Sequence, residues 1–561
     1  MKKKIIGFFI CTLLIAAILP TQATNLNENE KTTIDYSYLY KNDAIIPPDI
    51  KNAGNNRGPE PGYYDTSEYM IGTIALGVIF LESDGSIDPS TEDWTQQEKT
   101  AAMGSLGIAG GHLQWNNWFN AHNMYFHSFM TYGEIHTVNI SYEPIIHPSG
   151  VTNDQWEKLY IAEAMDELGY STGDWMQRVR DYTNYIRDNI PTLPGYFGTD
   201  WAFTVFVVDN SNDADGLFSD GYHAYAYLGG PFTVCPHLRP GGPPGPMLKE
   251  VFVHEMGHIF YATDEYDGNP EYSGYLNAQD NEGSGCIMDT LALCISSGSE
   301  LQVGFLDTDA DHKADILDTF PETTLNPYTP DPTTDPTPTY TGSATVQPLT
   351  NNNPHGPGND VTTNVIGGAE FRVDGGAWIY VNPDDGNYDD PVESFTFTTP
   401  PLSVGTHTIE VYAANSVGNA DSTPASDTIT IIAGNNPPDK PIIPSGQVNG
   451  KILTTYTYST SATDPESEQV YYWFDWGDGQ NSGWVGPLNS GQTGSASHMW
   501  ITPGNYQIKV KAKDTNGAES VWSDPLPVNM PRTKEIQNLF FLRILENLAN
   551  KFPIIKYILG L

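Results

Sequence analysis

The chain has 561 residues, with 69 acidic against 26 basic side chains and a formal net charge of −43. That length exceeds what one hydrophobic core serves, so two to four domains are expected. A polyanion of this kind repels nucleic acid, which excludes that class of partner, while its many carboxylates suit calcium.

Lys2-Lys3-Lys4, the apolar run Ile5 to Leu19 and Thr21-Gln22-Ala23 read as the charged, apolar and cleavage regions of a secretory signal over residues 1–23. The apolar run is short for a membrane span. Its removal takes three lysines and no acids, so the mature chain is more negative still and is expected to be secreted or held at the cell surface. Residues 24–65 form an N-terminal segment or a short propeptide. Cys11 leaves with the signal; Cys235, Cys286 and Cys294 remain. An odd count leaves at least one thiol free or paired between chains.

Ile71 to Leu81 is rich in β-branched residues and predicts a buried strand. Asp93 to Leu106 and Asp154 to Leu168 predict helices, and Asp200 to Val208 a second buried strand. Gly221 to Val234 alternates small and aromatic residues and breaks at Gly229-Gly230-Pro231, which suits an edge strand. The loop Pro240 to Pro246 leads into Val251 to Phe260, an apolar helix carrying His254, Glu255 and His258. Histidines four residues apart share one helix face and can reach one metal ion, with Glu255 adjacent. Neutral nitrogen ligands, an open coordination position and a neighbouring general base are what a zinc hydrolase requires.

Asp264 lies six residues beyond His258, and Gly285-Cys286-Ile287-Met288-Asp289 follows. With the zinc helix and the strands before it, these residues resemble metzincin-type zinc proteases over about residues 65 to 320. The resemblance implies an α/β zincin fold over 66–321, with Asp264 as third ligand and Met288 in the turn beneath the metal. It also implies a peptide substrate lying antiparallel along Ala224, Tyr225, Ala226 and Tyr227 by β-augmentation. Tyr261 replaces the family's glycine, whose freedom swings the third ligand back to the metal, so the turn must come from tertiary packing. Glu265 competes as third ligand. A Cys286–Cys294 bridge would brace the methionine turn; Cys235 is the alternative partner. The segment 24–65 has no cysteine that would act as a zinc-blocking latch.

Asp307, Asp309, Asp311, Asp315 and Asp318 place oxygens at positions 1, 3, 5, 9 and 12 of a calcium loop, with the Lys313 carbonyl at position 7. His312 stands where that loop normally has glycine. Residues 322–341 are Pro/Thr-rich and read as a semi-rigid linker. Short alternating strands over 342–433 suit a β-sandwich and resemble an Ig-like or fibronectin-type module. Residues 434–444 are a second Pro-rich linker. Over 445–530, Tyr472-Trp473-Phe474-Asp475-Trp476-Gly477-Asp478-Gly479 and Gly504-Asn505-Tyr506-Gln507-Ile508-Lys509-Val510 resemble a PKD-type sandwich. Aromatics of the sandwiches are read as core packing, with polymer contact the competing role. Residues 531–561 form a basic amphipathic tail that suits a membrane surface, the cell envelope, docking on the catalytic domain or a secretion tag.

The expected function is a secreted zinc endopeptidase with Glu255 as general base, with zinc and calcium as cofactors and a protein or peptide as substrate. The competing expectation is a secreted adhesion or cell-surface protein whose metal domain is catalytically silent.

Overall fold

The computed structural model describes residues 44–552, apart from 51–58, 89–92, 107–113, 116, 119–128, 147–150, 152, 194–195, 214–215, 219–220, 239–248, 267 and 532–533. The expected signal 1–23 and the segment up to residue 43 lie outside the described residues. The chain forms two compact units. The first runs to Tyr328 and takes in Thr339–Thr399 and Thr408–Thr428; the second comprises Thr329–Pro338, Pro400–His407 and the chain from Ile429.

In the first unit, β1 (Ala44–Ile45), β2 (Thr73–Ser83), β3 (Phe129–Ile140), β4 (Trp201–Val208), β5 (Tyr225–Tyr227) and β6 (Phe232–Pro236) form one sheet in the order β1-β5-β6-β4-β2-β3. All neighbours are parallel except β5 with β6. β2 and β4 are nearly continuous apolar runs because both faces are covered. Ile74, Leu76, Val78 and Phe80 of β2, with Phe203, Val205 and Val207 of β4, join one core cluster, which also holds Val251, Phe252, Val253, Met256 and Ile259. Ala75, Ile79, Leu81, Ala202, Phe206 and Val208 join the other, against α2 (Asn153–Glu167) and α3 (Trp175–Asn189). The two-residue repeat of a strand thus divides each run between two helix layers. Between β2 and β3, α1 (Gln96–Leu106) begins with a reciprocal cap: Thr95 Oγ1 accepts from Glu98 N–H at 3.2 Å and Glu98 Oε2 from Thr95 N–H at 2.8 Å.

β3 and α3 were not among the sequence expectations. α3 owes its concealment to polar residues that it buries with partners, Arg180 on Asp49 and Asn184 on the Tyr63 carbonyl among them.

The segment expected to be only a spacer contributes structure, which corrects that reading. Glu322–Leu325 pairs antiparallel with Thr339–Thr345, which pairs in turn with Val392–Thr398. Alternation overrides the proline signal here: Thr323 points inward while Glu322 and Thr324 are exposed. A second sheet, Ile379–Val381, Ile366–Val373, Gly405–Asn415 and Ala425–Ile431, faces it. The Phe371 and Phe397 rings of the two sheets stack at 4.2 Å between centroids. Residues 349–364 fold back on the first sheet's core. Asn351 Nδ2 reaches Glu68 at 2.9 Å, Asn359 Nδ2 reaches Asp65 at 2.9 Å, and Val361 is part of that core.

In the second unit, Tyr456–Thr460 and Gly494–His498 form a two-stranded sheet. Opposite it stand Asn481–Leu488, Val470–Asp475, Gly504–Lys513 and Leu526–Met530. Tyr458, Tyr472, Phe474, Trp476, Trp500, Ile508 and Val510 fill the space between. From residue 322 to 530 the described chain is therefore all strand and loop, and sheets dominate the protein as a whole. The tail forms a helix, Lys534–Lys551, with Phe540, Leu542 and Ile544 exposed. Among the described residues no helix is long and apolar enough to cross a membrane.

Candidate metal centre

α4 (Lys249–Ile259) is buried from Val251 to its end. Packing of Val251, Phe252, Met256 and Ile259 on the sheet fixes its rotation, and so fixes where His254 and His258 point. Their Nε2 atoms lie 3.1 Å apart. Asp264 Oδ1 lies 3.3 Å from the first and 3.4 Å from the second. All three residues are buried, and neither Asp264 oxygen has a hydrogen-bond partner.

The other ring nitrogens set the tautomers. His254 Nδ1 donates to the Ile287 carbonyl at 2.9 Å, and His258 Nδ1 to the Ala262 carbonyl at 2.7 Å. A carbonyl only accepts, so Nδ1 carries the proton and, in the neutral ring, Nε2 presents a lone pair. Two such lone pairs and a buried carboxylate converging on one point could hold a cation, and two nitrogens with one oxygen would suit zinc. Backbone carbonyls that orient histidine rings are the usual outer support of a metal site.

The helix stops in a Schellman turn: Tyr261 N–H donates to His258 O at 2.9 Å and Ala262 N–H to Gly257 O at 2.9 Å. Tyr261 sits at φ 70°, the left-handed position expected to need glycine. The expectation that packing alone would make the turn is thereby refined: tyrosine adopts the glycine geometry itself. Left-handed backbone costs a β-carbon residue about 1–2 kcal/mol. The fully buried Tyr261 ring, lying where Gly229 has no side chain, offsets that cost. Gly229 N–H also donates to His258 O at 3.0 Å. The turn returns the chain so that Asp264 faces the imidazoles.

Glu265, the rival ligand, is turned away and committed. Its carboxylate accepts from the Ser284, Ser296 and Ser299 hydroxyls and from Asn281 N–H. Its backbone N–H donates to Met288 O at 3.0 Å. Glu265 thus ties the loops beneath the helix instead of joining the cluster. Met288 is buried under the helix; a Cβ on Gly257 would lie 2.7 Å from its Sδ. Cys286 and Cys294 are bonded to each other on either side of this turn, and Cys235 is a buried free thiol. Burial, and then the charge of nearby Glu255, hold the Cys235 thiol well above its ordinary range.

The expected substrate edge is different. Ala224, Tyr225, Ala226 and Tyr227 are buried, and β5 is not the outermost strand. β1 runs parallel along it, Ala44 opposite Ala226 and Ile45 opposite Tyr227, and Leu228 N–H donates to Ile45 O at 2.7 Å. The N-terminal segment therefore holds the backbone groups assigned to a peptide. Pairing is extended by Asp49, whose carboxylate bridges to Arg180 on α3.

The acidic loop assembles in part. Oxygens of Asp307, Asp309 and Asp311 lie within 4.8 Å of one another. His312 takes φ 71°, the geometry of the glycine it replaces. Asp315 instead accepts from Thr308 N–H at 2.9 Å, and Asp318 accepts from Asn419 Nδ2 at 2.6 Å. Lys313 Nζ lies 2.7 Å from Asp311 Oδ2.

No protein-family model matches the sequence, and no curated protein matches it. Among solved structures, the chain is similar to the PKD domain of an M14-like peptidase from a Thermoplasmatales archaeon. Identity there is 42%, over 18% of this chain and 99% of that one, with a TM-score of 0.17. It is also similar to dimeric latent PorU from Porphyromonas gingivalis, at 16% identity, 38% of this chain, 20% of that one and a TM-score of 0.15. A D0–D1 domain of Intimin matches at 10% identity over 37% of this chain and 98% of that one, with a TM-score of 0.13.

Proposed function

We propose that the chain is a secreted zinc endopeptidase of metzincin type, in which His254, His258 and Asp264 hold the metal. One observation carries this reading: two imidazole Nε2 atoms and a buried carboxylate converge while both Nδ1 protons are held by backbone carbonyls. Bound zinc supplies a Lewis acid that lowers the pKa of water and polarises a peptide carbonyl. Glu255, buried beside His254, takes the proton of the attacking water and returns it to the leaving amine. His254 and His258 stay neutral, oriented by Ile287 O and Ala262 O. Met288 and the Cys286–Cys294 bridge support the floor without touching substrate. Calcium belongs to the same proposal: Asp307, Asp309 and Asp311 would hold it, and the Lys313 ammonium would have to leave Asp311.

Zinc content of single variants tests the ligand set. Asp264→Ala is expected to lose the metal on dialysis, and Glu265→Ala to keep it while losing thermal stability. Metal lost from Glu265→Ala and kept by Asp264→Ala would contradict the assignment.

A secreted adhesion protein with a silent metal domain is the second reading, favoured by the pairing of β1 along β5. The two readings separate on removal of the chain up to Ile46, which takes away Ala44–Ile45 and leaves Asp49 on Arg180. For a protease, cleavage of long unfolded peptides is expected to rise with zinc content unchanged, because the sheet edge becomes available. No cleavage before or after trimming would favour the second reading.

A further inference from the structure

The second unit gathers three acids that its own folding does not neutralise. Asp464 lies beyond the strand Tyr456–Thr460, Glu468 just before Val470–Asp475, and Asp514 just after Gly504–Lys513. One carboxylate oxygen of each lies within 4.8 Å of the other two. Asp464 is 4% exposed and Asp514 1%; Glu468 is partly buried.

The donors around these acids are neutral. Asp464 Oδ1 accepts from the N–H groups of Glu466 and Glu468, each at 3.0 Å. Asp514 Oδ1 accepts from Gly517 N–H at 2.6 Å and Ala518 N–H at 2.8 Å, and its Oδ2 from Asn435 Nδ2 at 2.9 Å. Glu468 accepts from Asn516 Nδ2 at 2.7 Å and Thr515 Oγ1 at 3.3 Å. Asp464 Oδ2 is buried with no hydrogen-bond partner. A buried carboxylate oxygen without a donor is costly, and more so beside two further carboxylates. A cation removes that cost.

The donor set selects the cation. All candidate ligand atoms are oxygens, which suits a hard ion and not zinc. Calcium takes about six to eight oxygens in a flexible geometry, which three carboxylates from separate loops can supply in part, whereas magnesium is usually held by one or two carboxylates and keeps several waters. Magnesium, at about 2.0–2.1 Å, demands a tighter octahedron. We propose that Asp464, Glu468 and Asp514 bind a calcium ion that clamps three loops at one end of the second sandwich. The site is separate from the Asp307 loop and does not depend on the zinc reading.

Hydrogen exchange by mass spectrometry on the full chain, chelated and then resupplied with zinc, tests this. Calcium at 100 times its Kd is expected to slow exchange about 100-fold in the segments 461–469 and 514–518. Asp464→Asn is expected to remove the response there while peptides of the Asp307 loop keep theirs. If Asp464→Asn does not fold, Glu468→Gln, at a partly exposed position, is expected to weaken it. Unchanged exchange in the wild-type chain up to about 10 mM calcium, beyond the range of weak extracellular modules, would overturn the proposal. Equal slowing by magnesium would overturn the choice of ion, and a wild-type response in both variants would overturn the ligands.

Discussion

Glu255→Gln is expected to lower kcat for peptide cleavage by about 100- to 10,000-fold, the range of general acid–base catalysis. The amide keeps the shape of the carboxylate but accepts no proton. Because Glu255 is not among the ligands assigned to the metal, zinc content and Tm are expected to remain at wild-type values. Steady-state kinetics with metal analysis of the same sample read both. A variant that is fully active would remove Glu255 from the mechanism; one that is inactive because it lost zinc would make Glu255 part of the metal's support.

Gly229→Ala is expected to be among the most destabilising single changes in the first unit. Gly229 has φ 77°, and a Cβ there would overlap the buried Tyr261 ring. The backbone penalty is about 1–2 kcal/mol and overpacking adds about 1–3 kcal/mol. The shift propagates to the centre, because Gly229 N–H holds the His258 carbonyl and Tyr261 makes the turn before Asp264. Calorimetry should show a lower Tm and metal analysis weaker zinc retention. Tyr261→Ala in the same background should cost less than the sum of the two single changes, since the overlapping ring is gone. Strict additivity would show that the ring does not transmit the effect.

The grouping of His254, His258 and Asp264, the proposed metal ligands, was legible in the sequence because it is local. His254 and His258 share a helix face by spacing alone, and Asp264 follows within a few residues of chain. The strands Thr73–Ser83 and Trp201–Val208 were legible because burial on both faces leaves few polar residues in either. Glu265 could not be ruled out from sequence: its three serine partners lie 19 to 34 residues away and meet it only in the folded loops. The identity of the strand beside Tyr225–Tyr227 was equally hidden, since Ala44–Ile45 is too short to carry a periodic signal and is fixed by Asp49 meeting Arg180. Trp175–Asn189 was missed although Trp175, Val179, Tyr182 and Ile186 recur at helical spacing, because polar residues, buried Arg180 and Arg187 among them, make the segment as a whole strongly polar. The strand in the Pro/Thr-rich segment shows the converse error, where composition outweighed alternation.

Proteolysis of an unfolded protein by the chain trimmed after Ile46 tests the central claim most directly. Cleavage is expected to be present with zinc, lost on chelation, restored by stoichiometric zinc, and absent from the Glu255→Gln chain under every condition. A trimmed chain that binds zinc at His254, His258 and Asp264 and cleaves nothing would contradict it.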